Sequence, residues 1–177
     1  LIGYWHNWND GAAPYIQLDQ IDPRYDVVVV SFAVPTIGTS HQMEFVPSET
    51  TQATLALEVA NLQAQGKNVL ISIGGANAAV HLDSDTERDE FVTTMLAIID
   101  AYGFDGLDID LEGSSVAITG GTISAPTDAS ILRLIEAVNT IADTFESQNG
   151  THMLLTMAPE TAYVQGGMSA FGGIWGA

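Results

Sequence analysis

Short runs of apolar, β-branched residues alternate along the chain with longer stretches whose apolar positions recur at helical spacing. Leu1 to Trp5 is a first strand candidate, followed by a polar stretch rich in Asn and Asp. Asp26 to Val34 (DVVVVSFAV) is almost continuously apolar, as expected of a strand buried on both faces, and Pro35 ends it. Glu49 to Gln65 carries Leu55, Leu57, Val59 and Leu62 between alanines and predicts a helix stopped by Gly66.

The pattern then repeats. Asn68 to Ile73 (NVLISI) is a strand running into Gly74-Gly75. Asp85 to Tyr102 is a helix with acids in its first turn, an apolar stripe of Phe91, Met95, Ile98 and Ile99, and Gly103 behind it. Asp105 to Leu111 is the fourth strand. Asp128 is placed to cap a helix from Ala129 to Phe145, whose Ile131, Leu132, Ile135, Val138 and Ile141 fit a 3.6-residue period, with Asn149-Gly150 closing it. Met153 to Met157 is the fifth strand, ending at Pro159. Strands alternating with helices at this spacing imply βαβ units and a parallel sheet. Five strands complete an open doubly wound sheet, whereas an eight-stranded barrel typically needs about 250 residues, so length alone favours the open sheet.

Composition narrows the partners. The chain has 177 residues, 22 Asp and Glu against 4 Lys and Arg, a formal charge of −18, no cysteine and 46% hydrophobic residues. The apolar fraction suffices for a core, and disorder is excluded despite the charge. Nucleic acid and membrane surfaces are not expected partners of so negative a surface. Without cysteine there is no disulfide framework, thiol nucleophile or Cys-rich zinc site. The longest apolar runs fall far short of the roughly 20 residues that cross a bilayer. The acid excess is what high-salt proteins show and equally what ordinary acidic secreted proteins show.

The segment Asp105-Gly106-Leu107-Asp108-Ile109-Asp110-Leu111-Glu112 is the most informative. In a strand, side chains alternate faces, so Asp108, Asp110 and Glu112 lie on one side and Leu107, Ile109 and Leu111 on the other. The apolar set packs beneath helices and the acids point into the centre of the sheet or barrel. Carboxylates spaced about 6.5–7 Å along one strand cannot all ionise cheaply, so at least one pKa is expected to rise. A carboxylic acid kept protonated near neutral pH is what protonation of a glycosidic oxygen requires. A Ca²⁺ loop is the competing reading. An EF-hand, however, needs Gly at its sixth position, Glu at its twelfth and flanking helices, while here apolar residues fill every alternate place. His6, His41, His81 and His152 are scattered without metal-ligand spacing. No phosphate-loop or Gly-x-Ser-x-Gly pattern is present, and no metal or other cofactor is expected.

DGLDIDLE at Asp105 to Glu112 resembles the DxxDxDxE signature of glycoside hydrolase family 18 chitinases, and Ser72-Ile73-Gly74-Gly75 resembles that family's SxGG motif on the preceding strand. Leu1 to Trp5, Ser31-Phe32-Ala33, Met157 to Glu160 (MAPE) and Tyr163 to Gly167 (YVQGG) extend the likeness, to bacterial chitinases above all, over the whole 177 residues. The resemblance implies a parallel (β/α)8 TIM barrel with the signature on its fourth strand. It overrides the length argument and makes residues 1–177 an incomplete barrel of about five strands, a truncated catalytic domain. A missing C-terminal segment or a second chain would complete it, and the isolated chain is expected to be weakly active or inactive with exposed strand edges.

The implied activity is secreted, retaining hydrolysis of β-1,4 linkages in chitin or N-acetylglucosamine oligomers. Glu112 would protonate the glycosidic oxygen while the substrate's own 2-acetamido carbonyl attacks the anomeric carbon, giving an oxazolinium intermediate. Asp110 matches the aspartate that bonds the acetamido N–H, Asp108 its more buried partner, and Ser72 the serine beside Asp108, with Gly74 and Gly75 keeping backbone close to the sugar. Asp105, on the opposite face, is expected to be structural. Tyr4, Trp5, Phe32, Met157 and Tyr163 are candidate walls for pyranose rings, core packing being the equal alternative for any one of them, and Tyr4 and Phe32 match cleft-lining positions of the family. Glu160 and Gln165 would reach sugar hydroxyls from a loop. Trp8 and Trp175 match no position. An endo-β-N-acetylglucosaminidase shares the acid motif, and a chitin-binding, lectin-like member typically lacks the acidic glutamate that Glu112 supplies here.

Overall fold

A computed structural model describes residues 1–116, 120–122 and 125–159. Five parallel strands, β1 (Ile2–His6), β2 (Val27–Pro35), β3 (Asn68–Gly74), β4 (Gly106–Asp110) and β5 (Leu154–Met157), stand side by side in the order of the chain. Helices α1 (Gln52–Ala64), α2 (Asp85–Tyr102) and α3 (Ala129–Asn149) form the crossovers after β2, β3 and β4. A doubly wound sheet reverses its strand order at a switch point; here no neighbour is skipped, and all three helices share one core with the sheet. This is the sequential winding of a barrel, left open between β1 and β5, so topology overrules the inference from length.

The helix ends follow local chemistry. Thr51 caps α1 by accepting the Thr54 N–H at 3.1 Å, and Ser84 caps α2 by accepting the Glu87 N–H at 3.2 Å. Gly103 and Gly150 close α2 and α3 in the left-handed region, at φ +70° and +68°. Asp128 holds the N-cap position of α3, but its carboxylate accepts the Gly120 N–H at 3.3 Å and makes no capping bond to the helix. Of the expected α1 stripe, Leu55, Val59 and Leu62 are buried and Leu57 is not. Residues 55, 59 and 62 follow the i, i+4, i+7 rule, whereas position 57 lies on the far side of the helix. On α3, Val138 and Ile141 are buried, while Leu132 and Ile135 remain exposed.

The outward face of the sheet, with Val28, Val30, Val69, Ile71, Ile73 and Leu107, packs against Phe91, Met95, Ile99 and Ile141 of the helices. Its inward face is read from the register. Tyr4 pairs with Val29 and Val29 with Leu70, while Ser72 pairs with Asp108 and Asp108 with Thr156. Alternation therefore sends an apolar layer, then a polar one, into the interior. The open edges expose Leu1 and Ile2 on one side and Leu154 and Leu155 on the other. A two-residue strand, Met43–Glu44, pairs antiparallel with the end of β2, and Gly121–Thr122 pairs with Ala125–Pro126. No helix among the described residues is long and apolar enough to cross a membrane.

Candidate active site

Asp108 lies at the middle of β4, is 2% exposed, and is saturated with donors. Oδ2 accepts the Tyr4 hydroxyl at 2.8 Å and the Ser72 hydroxyl at 2.7 Å, and Oδ1 accepts the Thr156 hydroxyl at 2.6 Å. These donors come from β1, β3 and β5, so the polar layer of the open barrel converges on one carboxylate. Such short bonds to a charged acceptor are the strong kind. The Tyr4 hydroxyl is correspondingly hard to ionise: burial, its bond to Asp108 and the negative charges of Asp108 and Asp110 all push its pKa up.

Asp110 follows on the same face at the end of β4, half-buried, and Glu112 two residues beyond the strand is also half-buried. Burial raises the pKa of the Asp110 carboxyl, with the nearby charges of Glu112 and then Asp108 adding to it. The crowding expected from the sequence thus appears at the central acid. Leu107 and Leu111 point the other way into the core. Asp105 is structural, its carboxylate accepting the Val69 N–H at 2.7 Å.

Gly74 and Gly75 bring β3 against β4. Gly74 pairs with Asp110, the Gly75 N–H donates to the Asp110 carbonyl at 2.7 Å, and both glycines have positive φ, +102° and +79°. A Cβ on Gly74 would overlap the Asp110 carbonyl oxygen, so this contact requires glycine. Beyond them opens a cleft of about 620 Å³ bordered by Gly74, Gly75, Phe32, Trp8 and the loop from Thr36 to Thr39. Phe32 therefore stands at the cleft, as does Trp8, which sequence reasoning passed over.

Other candidates fall differently. Trp5 is only 3% exposed, packs edge-on against Tyr15 and donates its N–H to the Ile16 carbonyl at 2.9 Å; it is a core residue, not a cleft wall. Met157 is 59% exposed at the end of β5, paired with Ile109. Glu160, Tyr163 and Gln165 lie outside the described residues. Thr156 was missed, although its register opposite Asp108 marks it once β5 is aligned.

The family model described as glycosyl hydrolases family 18 matches residues 1–172. Among curated proteins, the chain is 45% identical to chitinase Chi52 of Paenibacillus xylanexedens and 45% identical to chitinase D of Niallia circulans, covering 100% of this chain and 33% of each relative. It thus spans about a third of their length. Among solved structures it resembles a family 18 chitinase from Chromobacterium violaceum, with a TM-score of 0.80, 35% identity, and coverage of 99% of this chain and 44% of that one. A family match over nearly the whole sequence, on an open stretch of the barrel that this neighbour shares, places the chain in glycosyl hydrolases family 18.

Proposed function

We propose that the protein is a chitinase that cleaves β-1,4 bonds between N-acetylglucosamine units with retention, using the substrate's acetamido group as nucleophile. The observation that supports this reading is that Asp108 and Asp110 share the inward face of β4, with the charge of Glu112 close enough to act on the Asp110 carboxyl. Carboxylates arranged so approach a sugar from the same side, which suits a substrate that supplies its own nucleophile better than a pair flanking the scissile bond.

In this mechanism Glu112, the outermost acid, gives its proton to the glycosidic oxygen as the acetamido carbonyl oxygen attacks the anomeric carbon. The leaving sugar departs with that proton and an oxazolinium forms. Asp110 accepts the acetamido N–H, holding the carbonyl in line, and its negative charge is favoured as positive charge develops on the ring. Asp108, fixed by Tyr4, Ser72 and Thr156, holds in place the strand that carries Asp110. Glu112, now a carboxylate, takes a proton from water as the water opens the oxazolinium. Phe32 and Trp8 offer flat apolar faces to the C–H faces of pyranose rings, and Gly74 and Gly75 let backbone approach the sugar. Met157, exposed at the end of β5, is a further candidate contact for the sugar, and Glu160, Tyr163 and Gln165 are carried as sugar-binding residues by the family resemblance of their sequence alone. Chitin is an insoluble polymer, so the enzyme is expected to act outside the cell.

The test is hydrolysis of an N-acetylglucosamine hexamer by the product of the intact gene, compared with Glu112→Gln. Loss of turnover by a factor of about 10² to 10⁴ with retained hexamer binding is expected; unchanged turnover rejects the acid role.

A further inference from the structure

Trp8 sits in the polar loop behind β1, 36% exposed, with its indole bordering the cleft beside Phe32, Gly74 and Gly75. A large ring in an exposed loop ordinarily samples several rotamers, but this one is held. Its face stacks on the His6 imidazole, with ring centres 4.5 Å apart and planes within 8°, and it lies 6.1 Å from the Phe32 ring at 22°. Its Nε1–H donates to Asp10 Oδ2 at 3.1 Å.

The same carboxylate also shapes the loop. Asp10 Oδ1 accepts the N–H groups of Ala12 and Ala13, each at 2.7 Å, and these bonds together with the indole N–H hold the Asp10 carboxyl below the usual range. The flanks are tied down as well. Asn7 Nδ2–H donates to the Val46 carbonyl at 2.7 Å, and Asn9 Oδ1 accepts the Tyr15 N–H at 3.1 Å. One oxygen of Asp10 therefore folds the loop and the other fixes the ring.

We propose that Asp10, with His6 behind the indole, is a positioning residue that sets Trp8 as a sugar-stacking wall of the cleft leading away from Gly74 and Gly75. This rests on the chitin reading above and deepens it. A ring fixed before the substrate arrives loses little freedom on binding. Donation of its N–H to a carboxylate also pushes electron density into the indole, which strengthens its attraction for the weakly positive C–H groups of a pyranose.

Asp10→Asn separates the two functions of the side chain, because the amide oxygen still accepts from Ala12 and Ala13 while the amide nitrogen cannot accept from Trp8. In the intact gene product acting on the hexamer, Asp10→Asn is expected to raise KM by about three- to tenfold, the range of an aromatic stacking contact, and to leave kcat within about twofold. Its tryptophan emission is expected to become more accessible to acrylamide, and the effect on KM to disappear in a Trp8→Phe background, which has no N–H to position. An unchanged KM and quenching, an equal KM penalty on top of Trp8→Phe, or a fall in kcat matched by a fall in melting temperature overturns the positioning role. Absence of hexamer hydrolysis by the unmodified protein would instead reject the chitin reading, and quenching would still test the contact between Asp10 and Trp8.

Discussion

The phenolic hydroxyl of Tyr4, on β1, donates to Oδ2 of Asp108, on β4, at 2.8 Å. Two strands lie between them, and in a flat sheet their backbones would be about 14 Å apart. A tyrosine and an aspartate span that gap only if the sheet curls, so this bond ties barrel curvature to the orientation of the acid strand. Tyr4→Phe removes one of three donors from a buried carboxylate, a loss of about 1.5–3 kcal/mol. We expect a lower melting temperature and a fall in kcat of about tenfold or more; unchanged values of both would show that the bond orients nothing.

Asp110 makes stability depend on pH in a defined direction. Burial, then Glu112 and Asp108, raise its carboxyl in the folded state, so the folded chain keeps a proton that the unfolded chain releases near the ordinary carboxylate range. The folded state binds more protons across that window, and stability falls as pH rises through it. Below the ordinary range both states are protonated and the penalty vanishes. Asp110→Asn is therefore expected to melt above the unmodified protein at pH 7, with the gap closing toward about pH 3. Glu58, buried on α1 with Oε2 unpartnered and raised chiefly by burial, gives Glu58→Gln the same profile. Melting curves across pH check both, and a gap that widens on acidification contradicts the assignment.

Much of this was legible in the sequence because local and tertiary signals agree. The acids of its first turn and Gly103 bracket α2 at its two ends, and the alternation of acids with Leu107 and Leu111 gives the faces of β4 directly. The failures have physical causes. Leu57 is off the buried stripe by the helix period itself, whereas Ile135 fits the period and is still exposed, so period alone does not decide its burial. Asp128 sits where a cap is expected, yet its carboxylate reaches Gly120. Trp8 stands alone in a polar loop, where no periodicity exists to mark it, and Thr156 reads as an ordinary strand residue until the register sets it opposite Asp108.

Two glycines with positive φ should respond very differently to alanine. At Gly66, φ is +81° and nothing lies near an added Cβ, so Gly66→Ala is expected to cost about 1–2 kcal/mol, the left-handed backbone penalty alone. At Gly74 the Cβ would strike the Asp110 carbonyl oxygen as well, and the cost should reach about 3–5 kcal/mol. Denaturant unfolding of both variants checks this; equal losses would mean that β3 and β4 are not in close backbone contact there.

Charge predicts a dependence on salt. Four basic side chains face 22 acids, and none of the three helices has a basic residue in its last turn to complement its dipole. Arg88, which bonds Asp89 and Glu136, and Arg133, which bonds Asp85, tie α2 to α3 near the surface, where such pairs contribute little. Screening should therefore relieve more repulsion than attraction. Raising KCl from 0.05 to 1 M is expected to raise the melting temperature by about 5 °C or more, and a fall would show that the ion pairs dominate.

The stereochemistry of cleavage tests the central claim most directly. Proton NMR of the first product released from the hexamer by the intact gene product should show the β anomer before mutarotation, because attack by the acetamido oxygen followed by water inverts the anomeric carbon twice. Release of the α anomer first would mean a single displacement by water, and the roles given to Asp110 and Glu112 would be wrong.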